Sequence, residues 1–479
     1  MYPNMFRNGI RGRIVARMSN AQPLLQTTNP VAAIIARARS AQAAFEHFTQ
    51  EQVDAIVRDI GKYVYDNARP LSLMACTETG LGNLEDKVLK KQGKSRAIWN
   101  SLKGKKSRSI IKIDRDNALL HVAKPMGVVA AVTPITNPVV TPMCNAMFAL
   151  KTGNAIVFAP HPKAQKCAVH LTEAFNEIIA KHGGPAFLVQ TIVNGNVQTT
   201  QDLMKAADVV VATGGGAMVK SAYSSGKPSL GVGAGNVPVI IDRDADLKDA
   251  LRKIEIGASF DNGIICSHEQ FILVPEERMA EAVAILKDMP KVWYTDDAAQ
   301  VEAFRKVLFV EGAINREVVG QSAPTVADLA GITIPADKRL IVVPARGAGE
   351  ADLLAREKLC PVVALLPYTN FEDALAKAKA NLDMEGAGHT AGLHSHIQDN
   401  IQRAGLALPV SRLVVNQPCA TTAGGSLTNG LAPTTTLGCG SWGNNSISEN
   451  LDFQHLMNVS RIAGIINKPV ITDAEIWAA

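Results

Sequence analysis

Three stretches decide the fold: Gly127-Val-Val-Ala-Ala-Val-Thr133, Ala155-Ile-Val-Phe-Ala-Pro-His-Pro-Lys163 and Asp208-Val-Val-Val-Ala-Thr-Gly-Gly-Gly216. Each is a short, continuous apolar run that ends in turn-forming residues. Strands buried on both faces read this way, because helices cover both sides of a parallel sheet. Helical patterns separate them. Thr141–Leu150 is one, and Ala164–Lys181 is a second, stopped by Gly183-Gly184. Leu188–Val193 reads as a further strand, Thr199–Ala206 as a helix, and Val237–Ile241 as the strand that closes this half. Strand–helix alternation of this kind predicts an α/β fold with a parallel sheet.

Residues 29–68 read as helix, with Val53, Ile56, Val57, Ile60 and Val64 on one face. Ile110–Ile113 and Ala118–Val122 flank the turn-rich Asp114–Asn117, which predicts a hairpin able to pair with another subunit. A second α/β half is expected from about residue 245 to 416. The Gly-, Thr-, Ser- and Asn-rich segment Gly424–Ser448 suits a loop wrapped over a site better than a packed element. No internal repeat stands out.

A chain of 479 residues exceeds one simple core, so two or three domains are expected. Hydrophobic content of 47%, charged content of 19% and a net charge of +5 describe an ordinary globular protein without the basic runs of a nucleic-acid binder. No apolar run reaches membrane-spanning length. The 7 cysteines form no CxxC pair, so neither a metal site nor a redox dithiol is signalled. Free thiols suit a reducing compartment, hence a cytoplasmic location. The Arg-containing residues 1–17 are expected to be a disordered leader.

One cysteine stands apart. Cys266 follows Asp261-Asn262-Gly263-Ile264-Ile265 and precedes Ser267-His268-Glu269. The Asn-Gly pair suits a thiol presented at a turn, and thiolate chemistry needs such access. A buried cysteine with no chemistry is the ordinary alternative. Further motifs follow strands in order: Thr133-Pro134-Ile135-Thr136-Asn137-Pro138, Phe158–Lys163, Thr213–Gly216 and Gly231-Val232-Gly233-Ala234-Gly235-Asn236. Glu357-Lys358-Leu359-Cys360-Pro361, Gly388-His389-Thr390 and Leu437–Gly443 complete the set.

From about residue 30 to 466 this ordered set resembles the aldehyde dehydrogenase superfamily, specifically its CoA-acylating branch. Thr133–Asn145, Asp261–Cys266, Val414–Pro418 and Thr434–Asn450 carry a likeness to acylating sulfoacetaldehyde and succinate-semialdehyde dehydrogenases. Acetaldehyde and propionaldehyde members share the architecture.

The resemblance implies a Rossmann-like coenzyme domain, an α/β catalytic domain and an oligomerisation hairpin. Their expected limits are 1–20 for the leader, 21–108 and 125–242 for the coenzyme domain, and 109–124 for the hairpin. The catalytic domain takes 243–423, and a tail over the active site and subunit interface takes 424–479. Cys266 matches the nucleophile and Asn137 the oxyanion-stabilising amide. Thr133, Pro134, His161, Pro162, Lys163, Thr213, Gly214, Gly215, Gly231 and Glu357 match coenzyme-site positions, with Glu357 on the nicotinamide ribose. His389 is a candidate site-lining or thiol-deprotonating group, whereas His268 and Cys439 are expected to have no chemistry of their own.

Two departures from the hydrolytic members matter. Gly231 stands where they carry a Glu as general base for thioester hydrolysis, which predicts an acyl-CoA product. Ala159 and Pro162 stand where they carry a Lys and a ribose-binding Glu. That absence, with Lys163 and Lys166 near, favours NADP, with NAD as the alternative.

The expected reaction is aldehyde + CoA + NAD(P)+ giving acyl-CoA + NAD(P)H in a homodimer or homotetramer. Sulfoacetaldehyde is placed ahead of succinate semialdehyde. A hydrolytic enzyme and a non-catalytic scaffold or microcompartment-associated homologue are the rival readings.

Overall fold

The computed structural model describes residues 30–466 and 471–478. The expected leader at 1–20 lies outside them. Two parallel sheets organise the chain. The first has five strands in the order Val189–Thr191, Ala155–Pro160, Val128–Thr133, Val209–Thr213 and Ser229–Val232. All its pairings are parallel. Every residue of Val128–Thr133 is buried, as a central strand covered on both faces requires. Each fully buried valine there contributes about 1.5–3 kcal/mol.

The second sheet has seven strands, all paired in parallel: Val292–Tyr294, Leu340–Pro344, Val362–Tyr368, Glu269–Pro275, Val237–Ile241, Gly388–His394 and Val410–Val415. Val237–Ile241 therefore does not close the first half. It sits between Glu269–Pro275 and Gly388–His394 in the second sheet, so a boundary at 242 falls one strand too late. An isolated apolar run cannot reveal which sheet it joins. The intervening Gly233-Ala234-Gly235 carries the chain across.

The predicted single helix over 29–68 is two helices, Pro30–Phe45 and Gln50–Asp66. Thr49 breaks the run. Its hydroxyl accepts from the Gln52 N–H, and the Gln52 side chain accepts from the Thr49 N–H, a reciprocal cap that starts a new helix. Helix Leu84–Leu102 follows, capped by Asn83.

The hairpin forms as Ile110–Asp114 against Leu119–Pro125. Met457–Ala463 adds a third antiparallel strand along Leu119–Pro125. Between the second sheet and that strand, residues 424–456 run across both sheets. This segment is irregular, as its composition suggests, yet Thr434, Thr436, Leu437, Cys439 and Asn450 are buried. Hydrogen bonds, not apolar periodicity, fix it: Thr436 to Thr213, Ser446 to Ser229, and Asn450 to Arg412. Among the described residues no helix is long and apolar enough to cross a membrane.

Candidate active site

Cys266 follows a tight turn at Phe260–Gly263 and precedes strand Glu269–Pro275. Asp261, Asn262 and Gly263 all hold left-handed backbone, at φ 53°, 54° and 70°. Asn and Gly tolerate that region. Asp261 is held there by its buried carboxylate. Oδ1 accepts from the Asn83 N–H at 2.8 Å, and Oδ2 accepts from Lys90 Nζ at 2.5 Å and Lys87 Nζ at 3.1 Å. Gly263 lies against Cys360, where an added Cβ would fall 2.7 Å from the carbonyl carbon.

The turn delivers Cys266 to a cavity of about 340 Å³. Asn137 lines the same cavity, as do Leu427, Thr434 and Leu437 from the C-terminal segment. Helix Leu84–Leu102 supplies Lys90, Lys94 and Arg96 to the wall. The Asn137 Oδ1 accepts from Lys90 Nζ at 2.9 Å, which leaves the amide N–H groups available. Lys94 Nζ donates to the carbonyls of Gly424 at 2.6 Å and Gly425 at 3.1 Å. Burial brings Lys94 down to about 8, so it is cationic at neutral pH.

Burial pushes the Cys266 thiol up to about 12, and nearby Glu357 and Cys439 add to the effect. The Arg412 guanidinium opposes them. Arg412 is itself buried. It donates to the carbonyls of His389 at 2.7 Å and Gly438 at 2.9 Å, tying strand Gly388–His394 to the C-terminal segment.

The other site positions do not line this cavity. Glu357 lies close enough to act on the thiol; burial, then Glu385, raises its carboxyl well above the usual range. The neighbouring Lys358 is buried and donates to the Leu354 and Arg356 carbonyls, which fixes the Glu357 backbone. His389 is fully buried, with Nδ1 on the Thr390 hydroxyl at 2.9 Å and Nε2 without a partner among the described residues. Burial and Arg412 depress it, so the ring is neutral. His268 is held between the Ile265 carbonyl and Gln270 and is pushed down to about 4 by burial.

Thr133, Pro134, His161, Pro162, Lys163, Thr213, Gly214 and Gly215 gather at the carboxyl ends of three neighbouring strands in the five-stranded sheet. His161 caps the turn at Pro162–Ala164 by accepting from the Lys163 N–H at 3.1 Å. Helix Gly216–Tyr223 begins at Gly215 without a side-chain cap, and a Cβ on Gly215 or Gly216 would meet no atom within 4 Å. The protein's own packing does not demand these glycines. Uncovered N–H groups and open space fit a pyrophosphate approaching the backbone. Thr213 differs in that its hydroxyl is engaged by Thr436 at 2.8 Å.

Gly231 lies in strand Ser229–Val232. A Cβ there would come within 2.8 Å of Val219 Cγ1 and 3.0 Å of Tyr223 Cε2. The Tyr223 hydroxyl also accepts from the Gly231 N–H at 2.9 Å. No carboxylate can occupy this position without moving Tyr223.

Lys90, Lys94 and Arg412 were not singled out from the sequence. A signal existed in helix Leu84–Leu102. Lys87, Lys90, Lys91 and Lys94 recur at i, i+3, i+4 and i+7, the spacing of one helix face. Lys87 and Lys91 are buried and Lys90 nearly so. Lysines on a buried face mark a site.

The Aldehyde dehydrogenase family profile matches residues 12–304, and the chain belongs to that family. Succinate-semialdehyde dehydrogenase (acetylating) from Clostridium kluyveri is 52% identical over 446 residues, covering 93% of this chain and 98% of its own length. Sulfoacetaldehyde dehydrogenase from Acholeplasma sp is 38% identical over 447 residues, covering 92% of each chain. Among solved structures, an acetylating aldehyde dehydrogenase from Geobacillus thermoglucosidasius superposes with a TM-score of 0.89 at 36% identity, covering 92% of this chain and 98% of that one.

Proposed function

We propose that the protein is a CoA-acylating aldehyde dehydrogenase whose substrate is a short aldehyde with an anionic tail, succinate semialdehyde first. One observation carries the substrate class: the cavity that holds Cys266 and Asn137 has Lys90, Lys94 and Arg96 in its wall and no acidic side chain among its lining residues. Sulfoacetaldehyde, expected first from the sequence, becomes the second choice. The relative named for succinate semialdehyde is 52% identical and the one named for sulfoacetaldehyde 38%. Both substrates present an anion that Lys94 could hold.

Cys266 gives its thiol proton to solvent, its thiolate sulfur adds to the aldehyde carbon, and the carbonyl oxygen gains negative charge. The Asn137 amide and the Cys266 backbone N–H hold that oxyanion. A bound nicotinamide coenzyme supplies the hydride acceptor. Cys266 then carries the acyl group as a thioester. With Gly231 closed against Tyr223, no carboxylate there activates water, so the acyl group stays on Cys266 until the CoA thiol takes it. Glu357 would hold the nicotinamide ribose, and Gly214 and Gly215 would take the pyrophosphate. NADP is the expected coenzyme and NAD the alternative. His161 and Lys163 are exposed, and the nearby Glu78 carboxylate is committed to the N–H groups of Lys166 at 2.6 Å and Cys167 at 2.8 Å.

The three-stranded sheet exposes Ile110, Ile113 and Ile462, which supports pairing across a dimer. Size-exclusion chromatography with light scattering tests that part; a monomer would remove it.

The deciding assay is NAD(P)H absorbance with succinate semialdehyde, sulfoacetaldehyde and acetaldehyde, each with and without CoA. Strict CoA dependence with succinate semialdehyde preferred is expected. Strong CoA-independent turnover would overturn the acylating reading.

A further inference from the structure

We propose that Lys90 is a positioning residue that sets the orientation and donor strength of the Asn137 amide and ties it to the turn that carries Cys266. The inference rests on the roles of Cys266 and Asn137 given above. Lys90 Nζ donates to Asn137 Oδ1 at 2.9 Å and to Asp261 Oδ2 at 2.5 Å. An ammonium has three donors and no acceptor. The atom facing it must therefore be the amide oxygen, and the amide nitrogen must face away. The orientation of an asparagine amide is often ambiguous, and here chemistry removes the ambiguity.

The same contact polarises the amide. A cation on the oxygen withdraws electron density and makes the N–H groups stronger donors, an effect enlarged where water is excluded. Asp261 completes the arrangement. It is fully buried, opens the left-handed run five residues before the nucleophile, and is also gripped by Lys87 and the Asn83 N–H. Lys90 thus joins the nucleophile's turn on one side to the oxyanion donor on the other. These two groups come from different sheets and must meet on one carbonyl.

A double-mutant cycle tests this with succinate semialdehyde and CoA: wild type, Lys90→Met, Asn137→Ala and the pair. Lys90→Met is expected to lower kcat roughly tenfold to hundredfold. KM and NADPH binding, followed by fluorescence, should stay near wild type. In the Asn137→Ala background the same change should cost less than about threefold, because no amide remains to position. Lys90→Arg should recover most of kcat.

Two results would overturn the proposal: losses that multiply independently in the double variant, or a Lys90→Met defect confined to KM for anionic aldehydes. The latter would make Lys90 a substrate anchor. Should Lys90→Met fail to fold, Lys90→Gln keeps a neutral donor for Asp261, which Lys87 still pairs, and the cycle is read with that variant. Cys266→Ala separates the two levels. Retained CoA-dependent activity there would sink the functional reading itself, whatever Lys90 does.

Discussion

Lys94→Met should convert a preference for anionic aldehydes into indifference. Lys94 Nζ gives two of its three donors to the Gly424 and Gly425 carbonyls. The third is free for a ligand, and no acidic side chain contacts the ammonium among the described residues. A substrate carboxylate would meet it inside a cavity of about 340 Å³ where screening by water is small. A hydrogen bond to a charged group contributes about 1.5–3 kcal/mol, so a loss near 2 kcal/mol means roughly a 30-fold drop in kcat/KM. Methionine preserves most of the stem, and acetaldehyde, with no carboxylate, should lose less than about threefold.

The pH profile gives an independent check. Lys94 lies at about 8 because burial disfavours its charged form. The cation is present below that pH and lost above it. The ratio of kcat/KM for succinate semialdehyde to that for acetaldehyde should therefore fall above pH 8 in the wild type and stay flat in Lys94→Met. Steady-state NAD(P)H assays from pH 6.5 to 9.5 read both effects. Equal losses for both aldehydes, with parallel pH profiles, would refute the reasoning.

Other outcomes follow from the same geometry. Cys266→Ala should abolish acyl-CoA formation, and Asn137→Ala should lower kcat about 10²- to 10³-fold with little change in KM, both by single-turnover and steady-state kinetics. With the Cys266 thiol held up to about 12, iodoacetamide alkylation of the coenzyme-free enzyme should rise with pH through 7 to 9 without a plateau, about tenfold per unit. Glu357→Gln removes a carboxylate that opposes the thiolate and should speed alkylation at pH 9, measured by mass spectrometry. Gly231→Ala places a methyl 2.8 Å from Val219, and should destabilise the fold by about 1–3 kcal/mol in urea unfolding.

Much of the architecture is legible because its determinants are local. The all-apolar Val128–Val132 and Val209–Ala212 can be little else but buried parallel strands. The turn at Asn262-Gly263 declares itself through residues that accept left-handed backbone. Sheet membership is not local, which is why Val237–Ile241 reads as the end of one half while lying inside the other. Thr49 breaks a helix through a side-chain cap that helical periodicity does not register.

The candidate site divides the same way. Cys266 and Asn137 stand out by motif, and the structure places them on one cavity. Lys90 and Lys94 lie 47 and 43 residues from Asn137 in an ordinary-looking charged helix. Only folding turns that helix face inward. Arg412 was equally silent, because most of its partners are backbone carbonyls that no sequence pattern displays.

The irregular segment 424–456 has a consequence for how the protein is made. It contributes Leu427, Thr434 and Leu437 to the cavity wall and then crosses to the five-stranded sheet. Cys266 leaves the ribosome well before any of these residues. A nascent chain therefore holds Cys266 before it holds the segment that walls its cavity. Burial raises the thiol, and that burial is complete only when this segment has docked. Protection of Cys266 by burial therefore arrives only after residues 424–456 have been made.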